Sequence, residues 1–152
     1  MEKLTLKQRR GRIVSLSVSQ YHRFRGCEIG RNCRISKSAL IDRVNPRGVH
    51  IGDNTRVLLD AWILAHDYSH GVDIQSIRMD TYIGHHCVIG GRSVIMPGVH
   101  IGNHVYVGVG SIVTHSVPDH CIVAGNPARI IRRGTIISDR GQLIEKGESV
   151  KE

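Results

Sequence analysis

The sequence predicts an all-β solenoid: a parallel β-helix of six-residue repeats, five to six coils long, with one loop protruding near residues 64–80. Three observations carry this. Aliphatic residues recur every six positions at Ile83, Ile89, Ile95, Ile101, Val107 and Val113, and in the same phase at Ile29, Ile35, Ile41 and at Ile51, Val57, Ile63. The following residue is often glycine (Gly30, Gly52, Gly84, Gly90, Gly102, Gly108), and the fourth after the aliphatic one is small or β-branched, as at Cys33, Thr55, Cys87, Ser93 and Val105. With 17 glycines, a single phenylalanine and 4% aromatic residues, a core must come from small and branched aliphatic side chains, which suits thin regular layers.

A six-residue unit is too short for a helical repeat and fits one short strand plus a corner, with the aliphatic side chain inside and glycine supplying the corner's unusual dihedrals. Three units make a triangular coil of about 18 residues, and stacked coils place each aliphatic side chain above its counterpart one coil earlier. The repeat divides the chain into a basic N-terminal cap (1–26), the β-helix (27–131) and a C-terminal extension (132–152). The cap carries Lys3, Lys7, Arg9, Arg10, Arg12, Arg23 and Arg25. In the extension, two short apolar stretches flank a turn between Thr135 and Ile144, which admits a hairpin; the last charged residues are expected to be disordered.

The period breaks twice, and a solenoid accepts extra residues only as loops at its corners. Between Ile41 and Ile51 the spacing is ten, giving a bulge from Asp42 to Gly48. Between Ile63 and Ile83 it is twenty, and this interruption holds the densest polar cluster, Ala65-His66-Asp67-Tyr68-Ser69-His70-Gly71.

Composition narrows the function classes. The net charge of +8 favours a polyanionic partner such as nucleic acid, an acidic glycan or a phosphate-bearing cofactor. Nucleic acid is disfavoured, since the basic residues come without an aromatic stacking platform. No apolar run approaches the roughly 20 residues of a membrane span, and the N-terminus lacks a signal peptide's apolar stretch, so a cytoplasmic protein is expected. Cys27, Cys33, Cys87 and Cys121 form no C-x-x-C pair and are expected as small core residues.

The segments I-G-D-N (Ile51 to Asn54), I-G-N-H (Ile101 to His104) and V-A-G-N-P-A-R-I-I-R (Val123 to Arg132) resemble the hexapeptide-repeat acyltransferase family over about two thirds of the chain. The resemblance implies a left-handed helix, an exception to the usual right-handed crossover. It also implies acetyl transfer from acetyl-CoA to a hydroxyl, and a homotrimer with sites between subunits. A hydroxyl attacks a thioester only as its proton leaves, and imidazole is the side chain suited to take that proton near neutral pH. By its place after the I-G-D-N corner, His66 matches the family's catalytic base, with His70 as the competitor in the same loop. Asp42, from the bulge one coil earlier, and Asp67 are candidates to contact an imidazole or the acceptor, with Tyr68 and His70 also lining the acceptor side.

Gly108, Gly110, Ser111 and Thr114, followed by Arg129 and Arg132, resemble the family's CoA-binding strip, in which backbone amides meet the pantetheine and guanidinium groups meet phosphates. Two positions depart from the family: His115 stands where a lysine is common, and Val88 where many relatives carry tryptophan. Without a nucleophilic cysteine beside His66, direct attack within a ternary complex is expected. The preferred acceptor is a sugar or polysaccharide precursor. The alternatives are a zinc enzyme resembling the γ-carbonic anhydrases, prompted by ten histidines including His115 and His120, and a non-catalytic scaffold; no metal site is assigned.

Overall fold

The computed structural model describes residues 5–6 and 17–150, so the cap residues Lys3, Lys7, Arg9, Arg10 and Arg12 lie outside the described residues. After a helix over residues 17–24, the chain winds into a left-handed parallel β-helix. The first coil is β1 (Glu28–Ile29), β2 (Arg34–Ile35) and β3 (Leu40–Ile41); the second is β4 (Val49–Ile51), β5 (Arg56–Val57) and β6 (Trp62–Ile63). The third is β7 (Thr81–Ile83), β8 (Val88–Ile89) and β9 (Val94–Ile95); the fourth is β10 (His100–Ile101), β11 (Tyr106–Val107) and β12 (Ile112–Val113). A fifth coil starts with Val117 bridging Ile101 and continues into β13 (Cys121–Gly125). There β14 (Ala128–Arg133) turns back antiparallel and ends the repeat.

Every strand pairs in parallel with its counterpart in the next coil, giving a first sheet β1-β4-β7-β10, a second containing β2-β5-β8-β11-β13, and a third β3-β6-β9-β12. The register aligns Ile41 with Ile63, Ile63 with Ile95, and Ile95 with Val113. These and the matching columns of the other sheets are buried, with Ile63, Ile89, Ile95 and Val107 fully enclosed. Burying each such side chain is worth about 1.5–3 kcal/mol, so the aliphatic period is itself the main driving force for coil stacking.

The glycines serve a purpose other than the one their position suggests. Gly30, Gly52, Gly84 and Gly102 are not in the left-handed region; a Cβ on Gly52 would lie 2.7 Å from the Gly84 carbonyl carbon and 2.8 Å from the His85 nitrogen. They are small because the next coil's backbone passes that close. The left-handed residue of the corner comes two positions later, at Asn32 (φ 55), Asn54 (φ 59), His86 (φ 56), His104 (φ 54) and His120 (φ 58). Asparagine tolerates that region through its short polar side chain.

These corner residues form a ladder along the solenoid. Asn32 donates to Asn54 at 2.8 Å, Asn54 contacts His86 at 3.1 Å, and His86, His104 and His120 stack with centroids 4.7 and 5.0 Å apart. The C-terminal extension runs down this ladder: His120 Nδ1 meets the Thr135 carbonyl at 2.9 Å, Ile137 N–H donates to His104 Nδ1 at 3.2 Å, and His86 meets Asp139 at 2.8 Å. Its strands β15 (Ile136–Ile137) and β16 (Leu143–Glu145) make the hairpin, and β17 (Glu148–Ser149) pairs with β14; the last two charged residues, Lys151 and Glu152, lie outside the described residues. Arg56 is gripped by the carbonyls of Arg140 and Asp139, which closes the extension over the outside of the second sheet.

The three outer faces therefore differ. The second is covered by the extension, burying Val88 and Ile122. The first is polar and aromatic, with Glu28, His50, Tyr82 and His100 in one row. The third is apolar and uncovered, a row of Leu40, Trp62, Val94 and Ile112 in which Trp62 is 47% exposed.

The strap has a defined pH response. Burial, then the neighbouring His86 and His120, hold the His104 pKa below its usual value of 6.5. Asp119 acts in the opposite sense, and Asp139 faces the adjacent His86. A histidine whose folded pKa is lowered contributes stability that is complete above the unfolded value and is lost as pH falls from there towards the folded one. Protonation also turns the Nδ1 acceptor into a donor facing Ile137 N–H. The hydrogen-exchange protection factor of the Ile137 amide should therefore fall between pH 7.5 and 5.5, and His104→Gln should abolish that dependence.

Candidate active site

The bulge after β3 is built around Asp42, which is fully buried. Its Oδ1 accepts from the backbone N–H groups of Val44 and Asn45, each at 2.8 Å, an Asx-turn that folds the bulge onto its own first residue. Its Oδ2 accepts from Ala65 N–H at 2.7 Å and meets His66 Nδ1 at 2.5 Å. One carboxylate thus saturates four donors and ties the bulge of the first coil to the loop of the second. Burial pushes the Asp42 pKa up, but the hydrogen bonds from Ala65, Asn45 and His66 outweigh it and hold the carboxyl below the ordinary carboxylate value.

An ionised Asp42 fixes the proton of His66 on Nδ1 and leaves the Nε2 lone pair with no hydrogen-bond partner among the described residues. The imidazole is part-buried, its side chain 20% exposed, and Tyr68 packs edge-on against it at 5.1 Å. The loop holding it leaves the helix on a short antiparallel stem: His66 bridges Arg78, Asp67 N–H donates to Ile77, and Met79 N–H donates to the Ala65 carbonyl.

Asp67 and His70 stand apart from this pair. Asp67 caps the turn Tyr68–His70 by accepting from Ser69 N–H at 2.8 Å, and His70 lies 3.5 Å from Asp67. His70 and Tyr68 are exposed. Asn45 is a residue that sequence reasoning missed. It is 2% exposed and donates through Nδ2 to the Ala65 carbonyl at 2.8 Å, with Asp80 at 3.5 Å, locking both ends of the loop. Its signal in the sequence is the Asp-x-x-Asn spacing of the bulge.

The suggested cofactor strip lies elsewhere. Gly108, Gly110 and Ser111 form the corner between the second and third sheets in the fourth coil, whereas His66 sits at the corner after the third sheet in the second coil. Thr114 is exposed at His66's own corner, two coils further on. Gly110 (φ 70) opens onto free space, and the Ser111 hydroxyl is turned inward, where it accepts from Gly125 N–H at 3.2 Å. That bond pins the tip of the β13–β14 hairpin against the strip and so presents Arg129, which is exposed, beside Ala124. Arg132 is half-buried and donates to the Gly147 carbonyl. The corner is open at Gly110; within one chain, the third sheet's apolar face separates it from His66.

Burial raises the pKa of all four cysteines, that of Cys87 to about 12, so none is a thiolate near neutrality. The stacked rings of His86, His104 and His120 were not foreseen as a coil-spaced row; they lie face to face and do not converge on one point as zinc ligands do. Among the described residues no helix is long and apolar enough to cross a membrane.

The chain is similar to known proteins in sequence and in fold. The family profile for the bacterial transferase hexapeptide (six repeats) matches residues 80–115. A putative acetyltransferase, YvoF, of Bacillus subtilis is 34% identical over 73% of this chain, and the match spans 63% of that protein's own length. Among solved structures, the polySia-specific acetyltransferase NeuO is 31% identical with a TM-score of 0.60, covering 72% of this chain and 52% of that one. A galactoside acetyltransferase in complex with coenzyme A is 28% identical with a TM-score of 0.55, covering 84% and 64%.

The Asp42 contacts set a stability expectation. Asp42→Ala strands the backbone N–H groups of Val44, Asn45 and Ala65, the last two buried, as well as His66, and should cost about 2–4 kcal/mol in urea unfolding. Because the folded pKa is depressed, this contribution is present above the ordinary carboxylate pKa and lost only as pH falls through the lower folded value. The destabilisation by Asp42→Ala should therefore be present at pH 8 and persist down to pH 5.

Proposed function

We propose that this chain, which belongs to the hexapeptide-repeat acyltransferase family, is an acetyl-CoA-dependent O-acetyltransferase acting on a hydroxyl of a sugar or polysaccharide precursor, with His66 Nε2 as general base. The observation that carries this reading is the buried Asp42 carboxylate on His66 Nδ1, which orients the ring, fixes its tautomer and leaves Nε2 as the basic atom. The acceptor oxygen gives its proton to Nε2 as it bonds to the acetyl carbon. The thioester C–S bond then breaks, and the imidazolium returns the proton to the leaving thiolate. Asp42 stabilises the imidazolium between these steps without itself taking the proton.

The donor binds along the corner of Gly108, Gly110 and Ser111, with Arg129 and Arg132 towards its phosphates. Since His66 and this corner flank opposite edges of the third sheet, the reading includes a homotrimer in which each site combines His66 of one chain with the strip of a neighbour. The uncovered row Leu40, Trp62, Val94 and Ile112 supports that assembly, because an apolar face of this kind favours burial against another copy. The names of the relatives, which include a galactoside acetyltransferase, support a glycan acceptor.

Release of free thiol from acetyl-CoA, measured against a panel of sugars, tests the reading. Turnover should require an acceptor, and His66→Ala should lower kcat by about 10²–10⁴-fold, the usual contribution of a general base. His70→Ala should leave kcat within about threefold. Acceptor-independent thiol release, or a His66→Ala enzyme as active as wild type, would overturn it.

A further inference from the structure

We infer that the acceptor is anionic, its carboxylate held in a cleft between the N-terminal helix and the first coil; this rests on the acetyltransferase reading. The cleft, about 640 Å³, is lined by Tyr21, His22 and Arg25 from the helix and its following turn, and by Lys37, Leu40 and Arg43 from the first coil. Its lining contains three cations and no aspartate or glutamate. Two surface arginines have carboxylate partners, Arg31 with Asp53 at 2.9 Å and Arg92 with Asp60 at 3.8 Å. Arg25, Lys37 and Arg43 form no ion pair among the described residues, so their field is left for a ligand to neutralise.

The cleft is a built feature. Arg25 donates to the Asp42 carbonyl at 3.1 Å and lies over the Tyr21 ring at 5.8 Å, contacts that hold its guanidinium in place. His22 is 7% exposed, and its Nδ1 has no hydrogen-bond partner among the described residues.

Position decides which substrate the cleft serves. Arg25 binds the backbone carbonyl of the residue whose side chain holds His66, and Ile41 and Arg43, which line the cleft, flank that residue in the chain, so the cleft ends beside the Asp42 backbone on the first-coil side. The proposed donor strip lies in the fourth and fifth coils, on the other side of His66 along the solenoid axis. A thioester arriving from that end leaves the first-coil end for the nucleophile. Guanidinium and ammonium groups there select an acceptor carrying a carboxylate over its neutral counterpart.

The test compares galactose with galacturonate, and then with oligogalacturonate, in thiol-release assays on wild type and on Lys37→Gln/Arg43→Gln, with galacturonate binding measured by calorimetry alongside. Wild type should favour galacturonate over galactose by at least about tenfold in kcat/KM. The double variant should raise KM for galacturonate about 10–100-fold with kcat little changed, the loss given by removing charge-assisted hydrogen bonds from ground and transition state alike. A further gain for the oligomer would mark a polymeric acid as the acceptor, and equal rates a monomeric one, each under the same carboxylate chemistry. A rise in KM for acetyl-CoA instead would assign the cations to the donor's phosphates and overturn the proposal, as would equal use of galactose and galacturonate. Calorimetry separates the two readings: galacturonate binding that the double variant loses, without turnover, sustains the cleft and sinks the enzyme reading, whereas absence of binding overturns the cleft.

Discussion

The close stacking of successive coils is the constraint on which the remaining structure depends. Adjacent strands of a sheet stand about 4.8 Å apart, so each corner must fit its backbone against the next corner at that distance. Glycine at positions such as Gly52 meets this demand by having no Cβ, and the residue two further on takes the left-handed turn. Once the corners are fixed, the aliphatic columns align inside and the outer faces are set apart. Extra residues can then leave only at corners, and both insertions, 42–48 and 64–80, do so at the corner after the third sheet. Their meeting in adjacent coils is what brings Asp42 to His66.

The pair illustrates why an insertion can be rigid enough for chemistry. A loop as long as residues 64–80 carries a large ordering cost. Here that cost is offset by a buried carboxylate with four donors, a short antiparallel stem and the Asn45 side chain, all at the loop's base. Tyr68 and His70, beyond this clamp, are exposed. The residue nearest the clamp is the one whose ring is held.

Much of this was legible in the sequence because a six-residue period admits few three-dimensional solutions. The aliphatic columns, the two interruptions and the nearness of Asp42 to His66 all follow from counting in coils. Other features escaped for physical reasons. The role of glycine was misassigned to dihedral freedom, since close approach between coils cannot be seen in one repeat taken alone. The histidine row at 86, 104 and 120 was hidden because the last spacing shortens to sixteen as the chain leaves the regular coil. The extension's docking on that row depends largely on long-range hydrogen bonds to the backbone of Thr135 and Ile137, which leave no pattern in side-chain identity.

The central claim is that His66 acts on a donor held by a second chain, and complementation measures it most directly. His66→Ala removes the base and leaves the strip, whereas Arg129→Glu reverses the exposed charge at the end of the strip and leaves the base. Neither variant alone should release thiol at the wild-type rate. Unfolded and refolded together, the two should regain a substantial fraction of that rate, because mixed assemblies contain interfaces with an intact His66 facing an intact strip. Mixed assemblies that form yet stay inactive, or a wild-type chain that is fully active as a monomer, would contradict the account.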